Sequence, residues 1–172
     1  ITETNEVMEK MDYMAHHDFL TGLPNRSLLE DRIKQALARS ARNKSRFAVV
    51  FIDLDKFKAI NDTLGHNVGD MFLKEVGNRI QCCLRSTDTV SRQGGDEFVL
   101  LLEDFGDETD ITHTAKRLVD LIGSSCNLNG HVVKVTPSIG ISLYPTDGAT
   151  VADLLKHADA AMYHAKNQGR NN

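Results

Sequence analysis

Phe47-Ala48-Val49-Val50-Phe51-Ile52 is an unbroken apolar run. It is too short for a buried helix and rich in β-branched and aromatic side chains. It therefore predicts a strand covered on both faces. Such a strand needs helices against its sheet, which confines the chain to α/β layer architectures. The run stops abruptly at Asp53-Leu54-Asp55, so a carboxylate stands where a rigid, buried strand emerges. Strand ends in open α/β sheets are where ligands tend to bind.

The remaining segments alternate in type. Residues 1–17 predict a helix, with Val7, Met8, Met11, Met14 and Ala15 on one stripe. Nothing caps its start, so it reads as a connecting or coiled-coil helix. Gly22 and Pro24 break the loop from Asp18 to Pro24. Asn25 caps a helix to about Asn43, buried through Leu28, Leu29, Ile33, Leu37 and Ala41. The other face of that helix is basic and reads as solvated. Helices follow at about 56–64 and 68–85, the second carrying Met71, Phe72, Val76, Ile80 and Cys83 inward. Extended segments at 89–92 and 97–102 flank Gly94-Gly95, a hairpin signature because tight turns need φ > 0. A helix at 111–124, a second hairpin at Asn129-Gly130, strands at 132–136 and 138–144, and a helix at 150–167 complete the chain. With 172 residues this predicts one α/β domain with a mixed sheet of about five strands and a peripheral β-hairpin.

Composition narrows the function. Lys+Arg 20 against Asp+Glu 24 gives a net charge of −4, which weighs against a nucleic-acid polymer as partner. It leaves room for a small anion bound through a metal. No apolar run approaches the ~18–20 residues of a membrane span, so no membrane contact is expected. Cys82, Cys83 and Cys126 are odd in number and form no CxxC pair. They read as packing residues in a reduced, cytoplasmic compartment. His16-His17 has no second ligand pair nearby and reads as a solvated helix end. The chain begins Ile1-Thr2-Glu3 without Met or a signal-peptide pattern, as expected of a segment from a longer protein.

The chemistry concentrates on acids. If the strand ending at Asp53 neighbours the Gly-Gly hairpin, then Asp53, Asp96 and Glu97 converge. Hard oxygen ligands select Mg²⁺ or Mn²⁺, and Mg²⁺ takes one or two carboxylates plus substrate phosphates. Such a site suits phosphoryl or nucleotidyl transfer. Spacing alone leaves a second reading open, in which Asp53 caps a helix and Asp96 and Glu97 are turn residues. The glycines permit the turn and clear side chains from a phosphate's approach.

Gly94-Gly95-Asp96-Glu97-Phe98 spells GGDEF, and the sequence resembles the GGDEF family of diguanylate cyclases well beyond these five letters. Asp18 to Arg26 reads DFLTGLPNR and resembles the family's opening motif. Asp53 to Asp70 reads DLDKFKAINDTLGHNVGD, similar to its central block. Ala158 to Asn171 reads ADAAMYHAKNQGRN, similar to its closing motif. The resemblance spans about residues 12–171. It implies a connecting helix over 1–17 and a catalytic domain over 18–172. The implied fold is a palm-like, three-layer domain related to nucleotidyl cyclases and polymerases.

The implied reaction is a nucleotidyl transfer. Two GTP are joined into cyclic di-GMP with release of two pyrophosphates, across a homodimer in which each domain holds one GTP. By this resemblance Asp53, the Leu54 carbonyl, Asp96 and Glu97 hold the metal, and Asp96 or Glu97 helps deprotonate the 3′-hydroxyl. Asn61 and Asp70 match the guanine-reading pair. A carboxylate can accept from N1–H and N2–H₂, and adenine would leave buried groups unpaired, a discrimination of ~10³-fold or more. Lys58, Lys166 and Arg170 match the phosphate contacts. Phe57, His66, Gly94 and Gly95 complete the implied substrate set.

Arg85 and Asp88 form an RxxD that resembles the family's product-inhibition site for cyclic di-GMP, with Lys116 or Arg117 as candidates for a further cation. Gln93 stands where Tyr or Leu is frequent. An alternative role is a catalytically silent, GTP-binding or cyclic di-GMP-sensing domain attached to a phosphodiesterase EAL domain. Either role implies the cytoplasm, free or as the cytoplasmic part of a membrane-anchored sensor.

Overall fold

The computed structural model describes residues 2–169. Its helices are α1 (Thr2–His16), α2 (Arg26–Asn43), α3 (Phe57–Leu64), α4 (His66–Cys83), α5 (Glu108–Gly123) and α6 (Val151–Asn167). Its strands are β1 (Phe47–Leu54), β2 (Thr89–Gly94), β3 (Glu97–Glu103), β4 (Cys126–Leu128), β5 (His131–Val133) and β6 (Pro137–Tyr144).

The predicted doubly covered strand is β1, buried at every position. Its side chains alternate between two core layers. Ala48, Val50, Ile52 and Leu54 pack with α4 and α5 residues such as Phe72, Val76, Ile80, Leu118 and Ile122. Phe47, Val49 and Phe51 pack with Leu29, Ile33 and Ala36 of α2 and Leu154, Ala158 and Met162 of α6. The three-layer α/β expectation therefore holds.

The sheet itself has four strands in the order β2-β3-β1-β6, with every neighbouring pair antiparallel. It is not the mixed five-stranded sheet expected from the alternation of elements. Strands of like direction, β1 with β2 and β3 with β6, are never placed side by side. The Asn129-Gly130 turn pairs β4 only with β5, as a separate hairpin. The predicted strand over 132–136 stops at Val133, and 134–136 form no ladder.

Three local expectations also change. Ala41 is exposed, because the buried stripe of α2 runs through Leu29, Ile33, Ala36 and Ser40. Cys82 is exposed on α4, while Cys83 and Cys126 are half-buried; all three are free thiols. Helix α5 begins earlier than its apolar pattern suggested, because Asp107 and Asp110 form a capping box at its start.

Helix α1 buries none of its residues, and Val7, Met8, Met11 and Met14 stand exposed. Its end is tied to the next loop: Asn25 Nδ2 donates to the Ala15 carbonyl at 2.9 Å, and Asn25 N–H donates to the His16 carbonyl at 2.9 Å. No helix among the described residues is long and apolar enough to cross a membrane.

Candidate active site

Two neighbouring strands carry the acids to one end of the sheet. Asp53 on β1 lies directly opposite Glu97 on β3, so the two share a face. Asp96 precedes Glu97 in the turn, and its carbonyl accepts from Leu54 N–H at 3.3 Å. Gly94 (φ 139°) and Gly95 (φ 52°) supply the backbone angles of that turn, which side chains rarely adopt.

The electrostatics are strained in a defined way. Burial is the first cause that raises the Asp96 pKa to about 6; the Asp53 charge and a hydrogen bond to the Asp53 carboxyl add to it. Glu97 is also pushed up, first by burial, then by Asp53 and Asp159. Lys166 opposes both shifts. Its Nζ lies 2.7 Å from Asp53 Oδ2. The other oxygen, Asp53 Oδ1, is buried without a hydrogen-bond partner.

A proton on Asp96 or a cation between the carboxyls would relieve this cluster, so the donor set fits a divalent ion. The expected convergence of three carboxylates is only partly met. Among the described residues, no three His, Cys, Asp or Glu side chains come together closely enough to hold an ion by themselves. Asp53 and Asp96 meet, whereas Glu97 stands opposite Asp53 across the ladder and feels its charge. The Leu54 carbonyl and ligand oxygens would have to complete a coordination shell, which is how Mg²⁺ is commonly held.

A second group of expected residues lies on α3 and α4. Asn61 Oδ1 is buried with no partner. It occupies the space in which a Cβ at residue 69 would sit, only 1.8 Å away, so glycine at 69 is what admits it. Asp70, Lys58 and His66 are exposed. Phe57 is different: its ring is buried and stacks on Phe72, so its side chain belongs to the core. Arg170 lies outside the described residues. Arg85 and Asp88 fall at the opposite end of β2, away from this cluster.

Sequence reasoning missed the residues that brace the site. Asp55 accepts from Thr136 Oγ1 and Ser138 Oγ, each at 2.7 Å, which pins the segment after β1. Arg92 joins the glycine turn to Asp18, 74 positions away. Both Asp18 and Arg92 stand in or beside quoted motifs, but nothing in their spacing indicates that they meet.

The profile of the family described as "Diguanylate cyclase, GGDEF domain" matches residues 15–172. The chain belongs to this family. It is 52% identical over 158 residues to MucR of Pseudomonas aeruginosa, named a bifunctional diguanylate cyclase/cyclic di-GMP phosphodiesterase; the match covers 92% of this chain and 23% of MucR. The solved GGDEF domain of TpbB from the same species superposes with a TM-score of 0.88 at 43% identity, covering 91% of each chain. The coiled coil and GGDEF domain of DgcB from Caulobacter crescentus, solved in complex with c-di-GMP, superposes with a TM-score of 0.87 at 25% identity, covering 99% of this chain and 90% of that one. The family's palm-like fold and diguanylate cyclase relatives thus agree with the layered architecture and the acid-bearing turn.

Proposed function

We propose that this chain is an active diguanylate cyclase that condenses two GTP into cyclic di-GMP. The observation that carries the reading is the Asp53–Asp96 pair at the strand end, with one buried Asp53 oxygen left without a donor. Asp53, the Leu54 carbonyl, Asp96 and Glu97 would hold Mg²⁺ or Mn²⁺. The ion, when bound, supplies polarisation of the α-phosphate and acidifies the attacking hydroxyl.

This chain's own residues do the rest. Asn61 and Asp70 read guanine, and the unpartnered Asn61 Oδ1 is an acceptor awaiting an N–H donor. Lys58, Lys166 and Arg170 contact phosphate. The Phe57 backbone N–H heads α3 without a side-chain cap and faces the same task; His66, Gly94 and Gly95 line the approach. The raised proton affinities of Asp96 and Glu97 suit either for taking the 3′-hydroxyl proton. Each 3′-oxygen bonds to the α-phosphorus of the other GTP, and pyrophosphate leaves. Two such steps close the ring, so a second copy of the domain faces the first, in the cytoplasm where GTP is present. Incubation of an enforced dimer with Mg²⁺ and GTP should release pyrophosphate and cyclic di-GMP. ATP should react ~10³-fold more slowly or not at all. Absence of product from GTP would overturn the reading. GTP binding without turnover would instead select a silent regulatory domain.

Arg85 and Asp88 are proposed to take product. The Asp88 side chain is buried and accepts from the backbone N–H of Arg85 (3.1 Å) and of Glu103 (3.2 Å). The Arg85 guanidinium lies 3.5 Å from Asp88 and donates to the Glu103 and Asp104 carbonyls, with its side chain largely exposed. A cleft of about 270 Å³ beside them is also lined by His113 and Arg117, which favours Arg117 over Lys116 as the further cation. Arg85→Ala should abolish cyclic di-GMP binding at this site in calorimetry and relieve inhibition. Unchanged affinity would remove the assignment.

A further inference from the structure

The glycine turn that presents Asp96 has little of its own to hold it in place. A Cβ built at Gly94 or Gly95 would meet no atom within 4 Å, so no neighbouring group packs against the positions where their side chains would be. Both residues sit at positive φ, and the ladder slips in register between Arg92 and Gly94. A turn of this composition is loose unless something outside it fixes it.

Arg92 is that fixture. Its Nε and Nη2 both donate to the Gly95 carbonyl, at 3.0 and 2.9 Å. Its Nη1 donates to Asp18 Oδ1 at 2.8 Å, and both side chains are mostly buried. Asp18 is itself fixed, because its other oxygen accepts from Thr21 N–H (2.9 Å) and Thr21 Oγ1 (2.7 Å). The Arg92 backbone N–H donates to the Pro24 carbonyl at 3.1 Å, so the arginine is anchored at both ends. On the far side of the turn, the Asp96 carbonyl accepts from Leu54 N–H. The two carbonyls of the turn are therefore held from opposite sides, one by Arg92 and one by β1.

We infer that Arg92 is a positioning residue for the cyclase reaction: acting through Gly95 and anchored on Asp18, it holds the turn so that Asp96 is presented to Asp53. This rests on the proposed cyclase reading of the site. None of these hydrogen bonds reaches Asp53, Asp96 or Glu97. Its effect is geometric, and a misplacement of ~1 Å in such a site can cost ~10²-fold in rate. Lysine cannot replace it, because a single ammonium has no planar fork to span Gly95 and Asp18 together.

The test uses Arg92→Ala and Arg92→Lys. The lysine variant keeps a cation beside Asp18 and so guards against loss of folding in the alanine variant. Both are expected to lower kcat by ~30- to 100-fold while KM for GTP stays within ~3-fold. In the metal-free protein, amide hydrogen exchange at Leu54 should quicken by ~10-fold, while Val50 and Leu100 in the middle of the β1–β3 ladder keep their protection. A kcat for Arg92→Lys within ~3-fold of wild type overturns the inference. So does a lost kcat without faster exchange at Leu54. A wild-type domain that makes no cyclic di-GMP would defeat the cyclase reading instead. The exchange measurement then still decides the clamp, and unchanged protection of Leu54 in Arg92→Lys overturns it.

Discussion

Asp96→Asn is expected to lower turnover of GTP by ~10³-fold or more while leaving the fold intact. The substitution is nearly isosteric, so the turn and the Leu54 N–H to Asp96 carbonyl bond survive. What disappears is a charge: an amide neither completes the anionic pair with Asp53 nor accepts the hydroxyl proton. Stability should move the other way. Burial and the adjacent Asp53 hold the folded-state pKa of Asp96 at about 6, above its ordinary 3.8. Between those two values the folded chain keeps a proton that the unfolded chain has lost, so stability falls as pH rises through that window. Above about pH 6 the site carries two close carboxylates, where a divalent ion would take the place of the proton. Urea midpoints of the metal-free protein at about pH 4.5 and about pH 7.5 should therefore show a decline that Asp96→Asn flattens. Added Mn²⁺ should raise the melting temperature of the wild type at the higher pH and leave the variant unmoved. Turnover by the variant within tenfold of wild type would show that Asp96 is not part of the reaction.

The parts of this site that were legible in the sequence are those governed by local rules. The run from Phe47 to Ile52 could only be a strand buried on both faces, and the Gly-Gly pair could only be a turn. Together they placed Asp53 at a strand end and the other two acids at the tip of a hairpin, without showing that the two are neighbours. Register decided what followed. A strand's side chains alternate faces, which puts Glu97 opposite Asp53, while Asp96 escapes alternation by lying in the turn. The three acids therefore yield one intimate pair, Asp53 with Asp96, and one acid related to it by register. The sheet's directions were illegible for a different reason. Which strands become neighbours depends on how α3 and α4 carry the chain from β1 to β2, and no local pattern encodes that. The Arg92–Asp18 contact spans 74 positions, and the Asn61 acceptor depends on the missing Cβ of Gly69 across the α3–α4 junction. Each is visible only after two elements have packed.

Gly140→Ala should be the most damaging single-methyl change away from the acids. Gly140 lies on β6 on the face that meets α6, between Ser138 and Ser142, and it is buried. A Cβ there would lie 2.1 Å from the Ala158 carbonyl oxygen, 2.1 Å from the Met162 nitrogen and 2.8 Å from the Ala161 carbonyl carbon. These are helix backbone atoms, so no rotamer change relieves the overlap, and α6 must move off the sheet. That movement opens the layer formed by Leu154, Ala158 and Met162 and strains the 2.7 Å bond from Ser142 Oγ to the Leu154 carbonyl. A cost of ~4 kcal/mol or more follows, in the range reserved for backbone clashes in a packed core. For a chain of this size that corresponds to a fall of ~10–15 °C in melting temperature. Gly123→Ala is the matched control, because a methyl there meets nothing within 4 Å. It should leave the melting temperature unchanged or slightly raised. The consequence reaches the chemistry through Lys166, which rides on the same helix and places its ammonium on Asp53. Whatever fraction of Gly140→Ala remains folded should therefore bind GTP more weakly, because the helix that aims Lys166, the proposed phosphate contact, has shifted. A melting temperature within ~3 °C of wild type would show that α6 can back away from β6 without cost, and that the close approach at Gly140 does not set the position of Lys166.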